Sequence, residues 1–404
     1  MSRLVVLGAG QAGMQLAATA RAEGFPGDIV LVGEEPLLPY RRPPLSKEYL
    51  AGKATAEQLL LRASGFYREQ RIETRLNLRA ERIDRANQEV LFTDGSRLAY
   101  SALALTMGTR VKQLPVPGAE LAGVHYVRSA ADVERLQHGL SEARSAVVIG
   151  GGFVGLETAA VLRGLGVGVC LLEMQDRIMP RVVSPLLSEF YRNVHSQRGV
   201  EVVTGAGVTR IERRNAGGLA VHCADGREFT GDIVVVGIGV VPNQELAAAA
   251  GLTCDDGIVV DEFARTSDPH IVAAGDCTYH PNPLLERSLR LESVHNAVAQ
   301  ATTAALTVCG KPSAYAQFPW FWSDQYEYKL QMVGLSHGYD QEVVRGNLET
   351  GKFSLFYFRQ GRLLAVDSVN AANEHITCKR LLAAGRSPTR EQAEDAQFDL
   401  KRLI

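Results

Sequence analysis

Two glycine-spaced turns constrain the chain's fold more than any other feature of its sequence. The first lies in RLVVLGAGQAG, where Gly8, Gly10 and Gly13 follow the apolar run Leu4–Leu7. The second lies in SAVVIGGGFVG, where Gly150, Gly152 and Gly155 follow Ala146–Ile149. A lone G-x-G-x-x-G carries little information, but here each copy has its full context. The first predicts a buried strand, the turn, and a helix from about Gln11 to about Glu23; the second predicts a helix over Leu156–Leu165. A second apolar strand follows each helix and ends on an acid, Glu34 in IVLVGEE and Glu173 in VCLLE. These acids fall 26 residues after Gly8 and 23 after Gly150, near the expected spacing of about 20. Each part has a physical purpose: the first glycine makes the tight turn, and the second lets a pyrophosphate approach the backbone. The third lets helix and strand pack closely, while the helix N-terminus offers free N–H groups to the phosphates. The terminal carboxylate accepts hydrogen bonds from a ribose diol. At Glu173 it would also repel a 2′-phosphate, which favours NADH over NADPH, although Arg177 and Arg181 stand close by in sequence.

The N-terminus has a second possible reading. Arg3, the apolar run after it and Ala18-Thr19-Ala20 follow the order of a secretory signal. Three glycines in a signal's helical core would each cost about 1 kcal/mol, whereas the turn requires them. We therefore read strand, turn and helix, and expect a cytoplasmic protein. The six cysteines, Cys170, Cys223, Cys254, Cys277, Cys309 and Cys378, are never closer than 23 residues, so no C-x-x-C redox, zinc or iron–sulfur pattern exists. Cys277 and His280 have ligand-like spacing but lack a second pair, so no metal site is expected. The net charge of −2 points to neither nucleic acid nor an anionic membrane. The longest apolar run, Ile233–Val241, is far shorter than the roughly 20 residues of a spanning helix.

Two dinucleotide turns in one chain imply two dinucleotides, most economically a flavin and a nicotinamide. TSDPHIVAAGDC (Thr266–Cys277), an apolar strand ending in Gly275-Asp276, resembles the second FAD signature of the two-dinucleotide flavoprotein reductases. PYRRPPLSKEYLAGK (Pro39–Lys53), RLESVHNAVAQA (Arg290–Ala301) and FPWFWSDQYEYKLQMVG (Phe318–Gly334) resemble the oxygenase-coupled ferredoxin reductases, and the resemblance spans essentially the whole chain. It implies an α/β protein with two Rossmann-like dinucleotide-binding domains and a smaller α+β C-terminal domain. The corresponding division is an FAD domain in two parts (1–112 and 243–311), an inserted NAD domain (113–242) and a C-terminal domain (312–404). The implied activity is transfer of a hydride from NADH to FAD, then of single electrons to a [2Fe–2S] ferredoxin. That ferredoxin would feed a haem monooxygenase or a ring-hydroxylating dioxygenase. A rubredoxin reductase, or a slow redox-sensing flavoprotein like apoptosis-inducing factor, are the alternatives.

Carried onto this sequence, the resemblance puts Ala12 and Gly13 on the FAD pyrophosphate, with Gly8 and Gly10 in the same cofactor-binding turn, and Glu34 on the adenosine ribose. Ala80 would meet the adenine, and Arg128, Asp276 and Val294 would make further FAD contacts. Gly150, Gly152, Gly155 and Glu173 would hold NAD. Lys47 of PPLSK would lie by the flavin and pair with Glu157, an ion pair that nicotinamide entry rearranges. Trp320 and Trp322, two apart on a strand, would face one side, with Trp322 on the electron exit route. Ser293 is expected to cap a helix running to about Cys309. Because a [2Fe–2S] ferredoxin is acidic, Arg41, Arg42, Arg62, Arg287 and Arg290 are candidates for a basic docking surface. The chain departs from the family pattern at Arg41, often an aspartate, and at Thr106-Met107-Gly108, usually Ala-Thr-Gly.

The segment after about Lys311 predicts strands and then a helix over Asn373–Ala384. Two motifs inside it are decoys. GLSHG (Gly334–Gly338) matches a hydrolase elbow but is not followed by a helix. GNLETGKF (Gly346–Phe353) nearly matches a phosphate loop, yet Phe353 replaces the hydroxyl residue. Both are expected to be turns between strands.

Overall fold

The apolar run after Arg3 is buried on both faces, which is the environment of a central parallel strand. In the computed structural model, which describes residues 2–404, Arg3–Leu7 is the middle of five parallel strands. Their order is Ile271–Ala273, Ala102–Leu105, Arg3–Leu7, Asp28–Val32 and Ile72–Arg75. Alternation along the strand sorts its side chains. Leu4 and Val6 pack under the helices Gln11–Ala22 and Val294–Val308, against Leu16, Ala17, Ala301 and Ala304. Val5 and Leu7 face Ile83, Val90, Phe92 and Leu98 of a three-stranded antiparallel sheet over Ala80–Asp84, Glu89–Phe92 and Arg97–Ala99.

The second glycine turn grows from the same design. Ser145–Ile149 is the middle of five parallel strands ordered Val124–Tyr126, Ile233–Val236, Ser145–Ile149, Gly168–Leu172 and Val200–Val203. Val147 and Ile149 face Ile211, Leu219 and Val221 of the antiparallel strands Val208–Arg213, Leu219–Cys223 and Glu228–Gly231. The helix after this turn is Phe153–Gly164, so it begins three residues earlier than the sequence suggested. The third glycine sits inside its first turn because glycine is tolerated there when the helix must touch the strand.

These elements belong to two compact units, each made of discontinuous chain. One comprises the chain up to Arg41, Glu57–Arg110 and Val241–Pro319; the other comprises Arg42–Ala56, Val111–Val240 and Trp320–Ile404. The second unit also contains a five-stranded antiparallel sheet ordered Trp320–Gln325, Tyr328–Gly334, Arg362–Val369, Lys352–Arg359 and Gln341–Asn347, followed by the helix Ala372–Ala383. Both decoy motifs lie between its strands; Asn347 pairs with Lys352 across the second. Arg345 fastens the end of the chain to this sheet. Its buried guanidinium donates to Glu374 and to the carbonyls of Gln392, Ala393, Asp395, Ala396 and Phe398. No helix among the described residues is long and apolar enough to cross a membrane.

Candidate functional site

The two glycine turns have nearly the same geometry. Gly8 has φ +111°, and a Cβ there would stand 2.3 Å from the Thr106 carbonyl oxygen; a Cβ on Gly13 would stand 2.0 Å from the Gly8 oxygen. In the other unit Gly150 has φ +108° with 2.4 Å to the Gly237 oxygen, and Gly155 has 2.0 Å to the Gly150 oxygen. Backbone occupies the space at those four positions. At Gly10 and Gly152 a Cβ would meet no protein atom within 4 Å. These two residues are the N-caps of their helices, and neither helix has a side-chain cap. Each helix thus begins with uncapped N–H donors, a positive dipole end and room for an approaching group, which fits a pyrophosphate.

Residues far apart in sequence complete the first turn. The Thr106 hydroxyl donates to the Leu7 and Gly8 carbonyls at 3.0 and 2.9 Å. Gly275 lies so near the helix start that its Cβ would be 3.1 Å from that of Ala12, which brings Asp276 beside the turn. The Gly275 N–H and the Thr278 hydroxyl both donate to the buried Gln300 Oε1 at 2.8 Å. Ser293 accepts from the Asn296 N–H and caps Val294–Val308, with Val294 its first residue. Glu34 is exposed and lies 3.3 Å from Arg79, and Ala80 begins the antiparallel sheet. The Met107 carbonyl accepts from Asn243 at 2.8 Å, and the Met107 side chain packs on the core.

The acid of the second turn is held differently. Glu173 accepts from the Gly151 N–H at 2.7 Å and the Gln175 N–H at 2.9 Å, so the carboxylate is oriented by the turn it serves. Gly151 also accepts from Met179 N–H at 2.9 Å. Arg177 donates to the Pro180 and Val183 carbonyls at 2.8 and 2.9 Å, which commits its guanidinium to the loop.

The same unit brings Lys47 and Glu157 together. Lys47 follows the short helix Pro43–Ser46, and its ammonium lies 2.6 Å from Glu157, which is only 4% exposed on Phe153–Gly164. Two hydroxyls that sequence reasoning missed complete the carboxylate's shell. Ser46 donates to Oε2 at 2.5 Å and Ser323 to Oε1 at 2.7 Å. Their only sequence signals are adjacency to Lys47 and to Trp322. Three donors suit a buried carboxylate, whose lone pairs would otherwise lose water unreplaced.

Trp320 and Trp322 stack on one face of their strand with ring centroids 5.4 Å apart. The Lys379 ammonium lies 4.9 Å from the centre of the Trp320 ring, and His375 lies 5.9 Å from it. Arg128 is half-buried, and its carbonyl accepts from Arg42 at 2.7 Å.

The expected basic cluster needs one correction. Arg290 is not a free surface cation: its side chain is 13% exposed and ion-paired with both Asp256 and Glu292. Two carboxylates around one guanidinium leave no positive field for a partner. Arg41 is exposed and donates to the Gln58 carbonyl, Arg62 lies over Phe66, and Arg287 is exposed. The six cysteines are free thiols. Burial pushes the Cys277 thiol up to about 12, and burial lowers His280, which packs edge-on against Tyr315, to about 4. Among the described residues no cluster of His, Cys, Asp or Glu could hold a metal.

A profile of the pyridine nucleotide-disulphide oxidoreductases matches residues 2–301, and a reductase C-terminal profile matches 320–404. Rhodocoxin reductase of Rhodococcus erythropolis is 45% identical over 401 residues, covering 99% of this chain and 94% of that protein. Putidaredoxin reductase of Pseudomonas putida is 42% identical over 406 residues, covering 99% and 96%. A crystal structure of the covalent putidaredoxin reductase–putidaredoxin complex superposes with a TM-score of 0.96 at 42% identity, covering 99% of this chain and 97% of that one.

Proposed function

The chain belongs to the pyridine nucleotide-disulphide oxidoreductase family, and on that premise we propose that it is an FAD-dependent NADH:ferredoxin reductase. Its electrons would pass to a [2Fe–2S] ferredoxin that serves a haem monooxygenase or a ring-hydroxylating dioxygenase. The observation that carries the reading is the pair of matched, side-chain-free helix N-termini, each open where a pyrophosphate would approach. Relatives of similar length whose names specify electron transfer to small redox proteins support the choice of acceptor. We read residues 1–112 and 243–311 as the FAD domain, 113–242 as the NAD domain and 312–404 as a third domain. The cytoplasm, where NADH is abundant, is the compartment, and free thiols suit it.

When bound, FAD accepts a hydride from NADH and releases the electrons one at a time. The chain's own work is to bind, orient and shield. Gly10, Ala12 and Gly13 would present the open helix start to the FAD pyrophosphate, on a turn that Gly8 makes while its own N–H stays bonded to the Val32 carbonyl, with Glu34 on the adenosine ribose. Ala80, Arg128, Asp276 and Val294 supply further FAD contacts. Gly152 and Gly155 would do the same for NADH on the turn that Gly150 makes, its N–H bonded to the Leu172 carbonyl, and Glu173 would accept from the ribose diol. A 2′-phosphate there would meet the Glu173 carboxylate, while two carbonyl hydrogen bonds hold the Arg177 side chain to its own loop. Lys47 and Glu157 hold a paired charge that orients the reacting rings, and Trp322 lines the way out for electrons.

Purified protein should be yellow, bleach with NADH faster than with NADPH, and reduce a ferredoxin at a rate that falls as salt rises. Slow bleaching after Lys47→Ala would support that residue's role. A colourless protein with no flavin, or one that bleaches but reduces no ferredoxin in a broad panel, would defeat the reading.

A further inference from the structure

Behind the Lys47–Glu157 pair a single file of buried polar side chains runs through the same unit. Ser323 donates to Glu157 Oε1 at 2.7 Å, and Gln325 Nε2 lies 3.2 Å from the Ser323 oxygen. Gln325 Oε1 lies 2.9 Å from His195 Nε2, and the Tyr326 hydroxyl lies 3.5 Å from His195 Nδ1. Ser323, Gln325 and His195 are each 0% exposed. Apolar side chains would fill such a space at less desolvation cost, so a fully buried polar file calls for a purpose.

Hydrogen-bond chemistry fixes the direction of the file. A carboxylate paired with Lys47 only accepts, so the one proton of the Ser323 hydroxyl is committed to Glu157. The Ser323 oxygen must then accept, and the Gln325 amide must turn its NH₂ toward it. That leaves the Gln325 carbonyl facing His195, which must donate from Nε2. In a neutral imidazole Nδ1 is then bare and takes the Tyr326 hydroxyl. The arrangement requires a proton on Nε2. Burial holds the His195 pKa down near 4, and the Arg198 guanidinium, 4.5 Å from the Tyr326 ring centre, opposes a second charge there. The opposite tautomer would flip Gln325, draw the Ser323 proton away and strip Glu157 of a donor.

We propose that Ser323, Gln325 and His195 are positioning residues that pass donated hydrogen bonds in one direction, toward Glu157, and so keep its carboxylate aimed at Lys47. This rests on the reading of Lys47–Glu157 as the pair that serves hydride transfer. The tautomer is a property of the chain, whereas the rate is a property of that reading, so the two are measured separately.

The first measurement is ¹⁵N NMR of the histidine-labelled flavoprotein at neutral pH, with the His195 signals assigned by their loss in His195→Gln. The expected spectrum has a protonated Nε2 and a bare Nδ1; a bare Nε2 would overturn the proposal. The second is stopped-flow flavin bleaching at saturating NADH. Ser323→Ala and Gln325→Met, which remove a donor, should each slow the limiting rate about 10-fold, roughly what one hydrogen bond to a charge can carry. NADH affinity should stay within about twofold, and Ser323→Thr should restore most of the rate. Wild-type rates in both donor-deleting variants alongside a slow Lys47→Ala would remove the chain's role alone. An unchanged rate in Lys47→Ala would remove the underlying reading instead, whatever the tautomer. Should either variant fail to fold, the tautomer measurement on the unmutated protein still decides.

Discussion

Replacing Gly152 with alanine tests the second turn where stability and ligand binding separate most cleanly. A Cβ on Gly152 meets no protein atom within 4 Å, and its backbone, φ −82° and ψ −178°, is one that any residue adopts. Folding stability should therefore change by no more than about 1 kcal/mol, since alanine's gain from a stiffer unfolded chain offsets its weakness as an N-cap. The added methyl projects into the space left for the pyrophosphate and keeps it off the first-turn N–H groups. Losing one hydrogen bond to a charged group costs about 1.5–3 kcal/mol, or roughly 10- to 150-fold in affinity. Flavin bleaching across a range of NADH concentrations, read beside thermal unfolding, should show a weakened NADH half-saturation point and a nearly unchanged melting temperature. Gly155→Ala should behave oppositely in origin: its Cβ would sit 2.0 Å from the Gly150 oxygen, so helix and strand must part, at about 1–3 kcal/mol or more. Gly10→Ala, the counterpart in the other unit, should lose flavin rather than NADH. Wild-type NADH affinity in Gly152→Ala would refute the assignment of this turn to the nucleotide.

Glu173→Ala should narrow the preference for NADH over NADPH about 10-fold or more, as like-charge repulsion is removed; an unchanged ratio of kcat/KM values would place selectivity elsewhere. Arg345→Ala should destabilise the protein by about 3–5 kcal/mol, because buried carbonyls and Glu374 lose their shared donor. Early proteolysis after residue 390 would report it. Burial pushes the Asp367 carboxyl up from 3.8 to about 7, against the hydrogen bond it accepts from Tyr357 at 2.8 Å. The folded state then holds a proton that the unfolded chain releases, so this group's contribution is full below about pH 4 and lost as pH rises to about 7. Denaturant titrations of Asp367→Asn should show a flatter stability profile across that window, and an unaltered slope would contradict the shift.

Both glycine turns are legible in the sequence because their requirements are local. Backbone sterics demand glycine at Gly8 and Gly150, and strand periodicity and helix capping act over a few residues. The cap at Ser293, the turn after Gly334 and the hairpin around Asn347 were readable for the same reason. The helix Phe153–Gly164 starts before the sequence suggests because close packing admits a glycine that propensity alone would exclude.

What only the tertiary structure decided is which charges are used and how. Glu157 owes its environment to Ser46, 111 residues away, and Ser323, 166 residues away. Arg290 belongs by sequence to a basic docking surface, but folding places Asp256 and Glu292 around it. No pattern in the chain announces such partners. A buried charge is priced by desolvation and by whichever donors folding brings within about 3 Å, and those depend on the whole fold. The sequence by itself determined that two glycine turns of one design exist and where; the folded chain determined that one turn's acid is tied to its own loop. It also decided that a lysine and a glutamate become a buried pair, and that a buried histidine stands behind them.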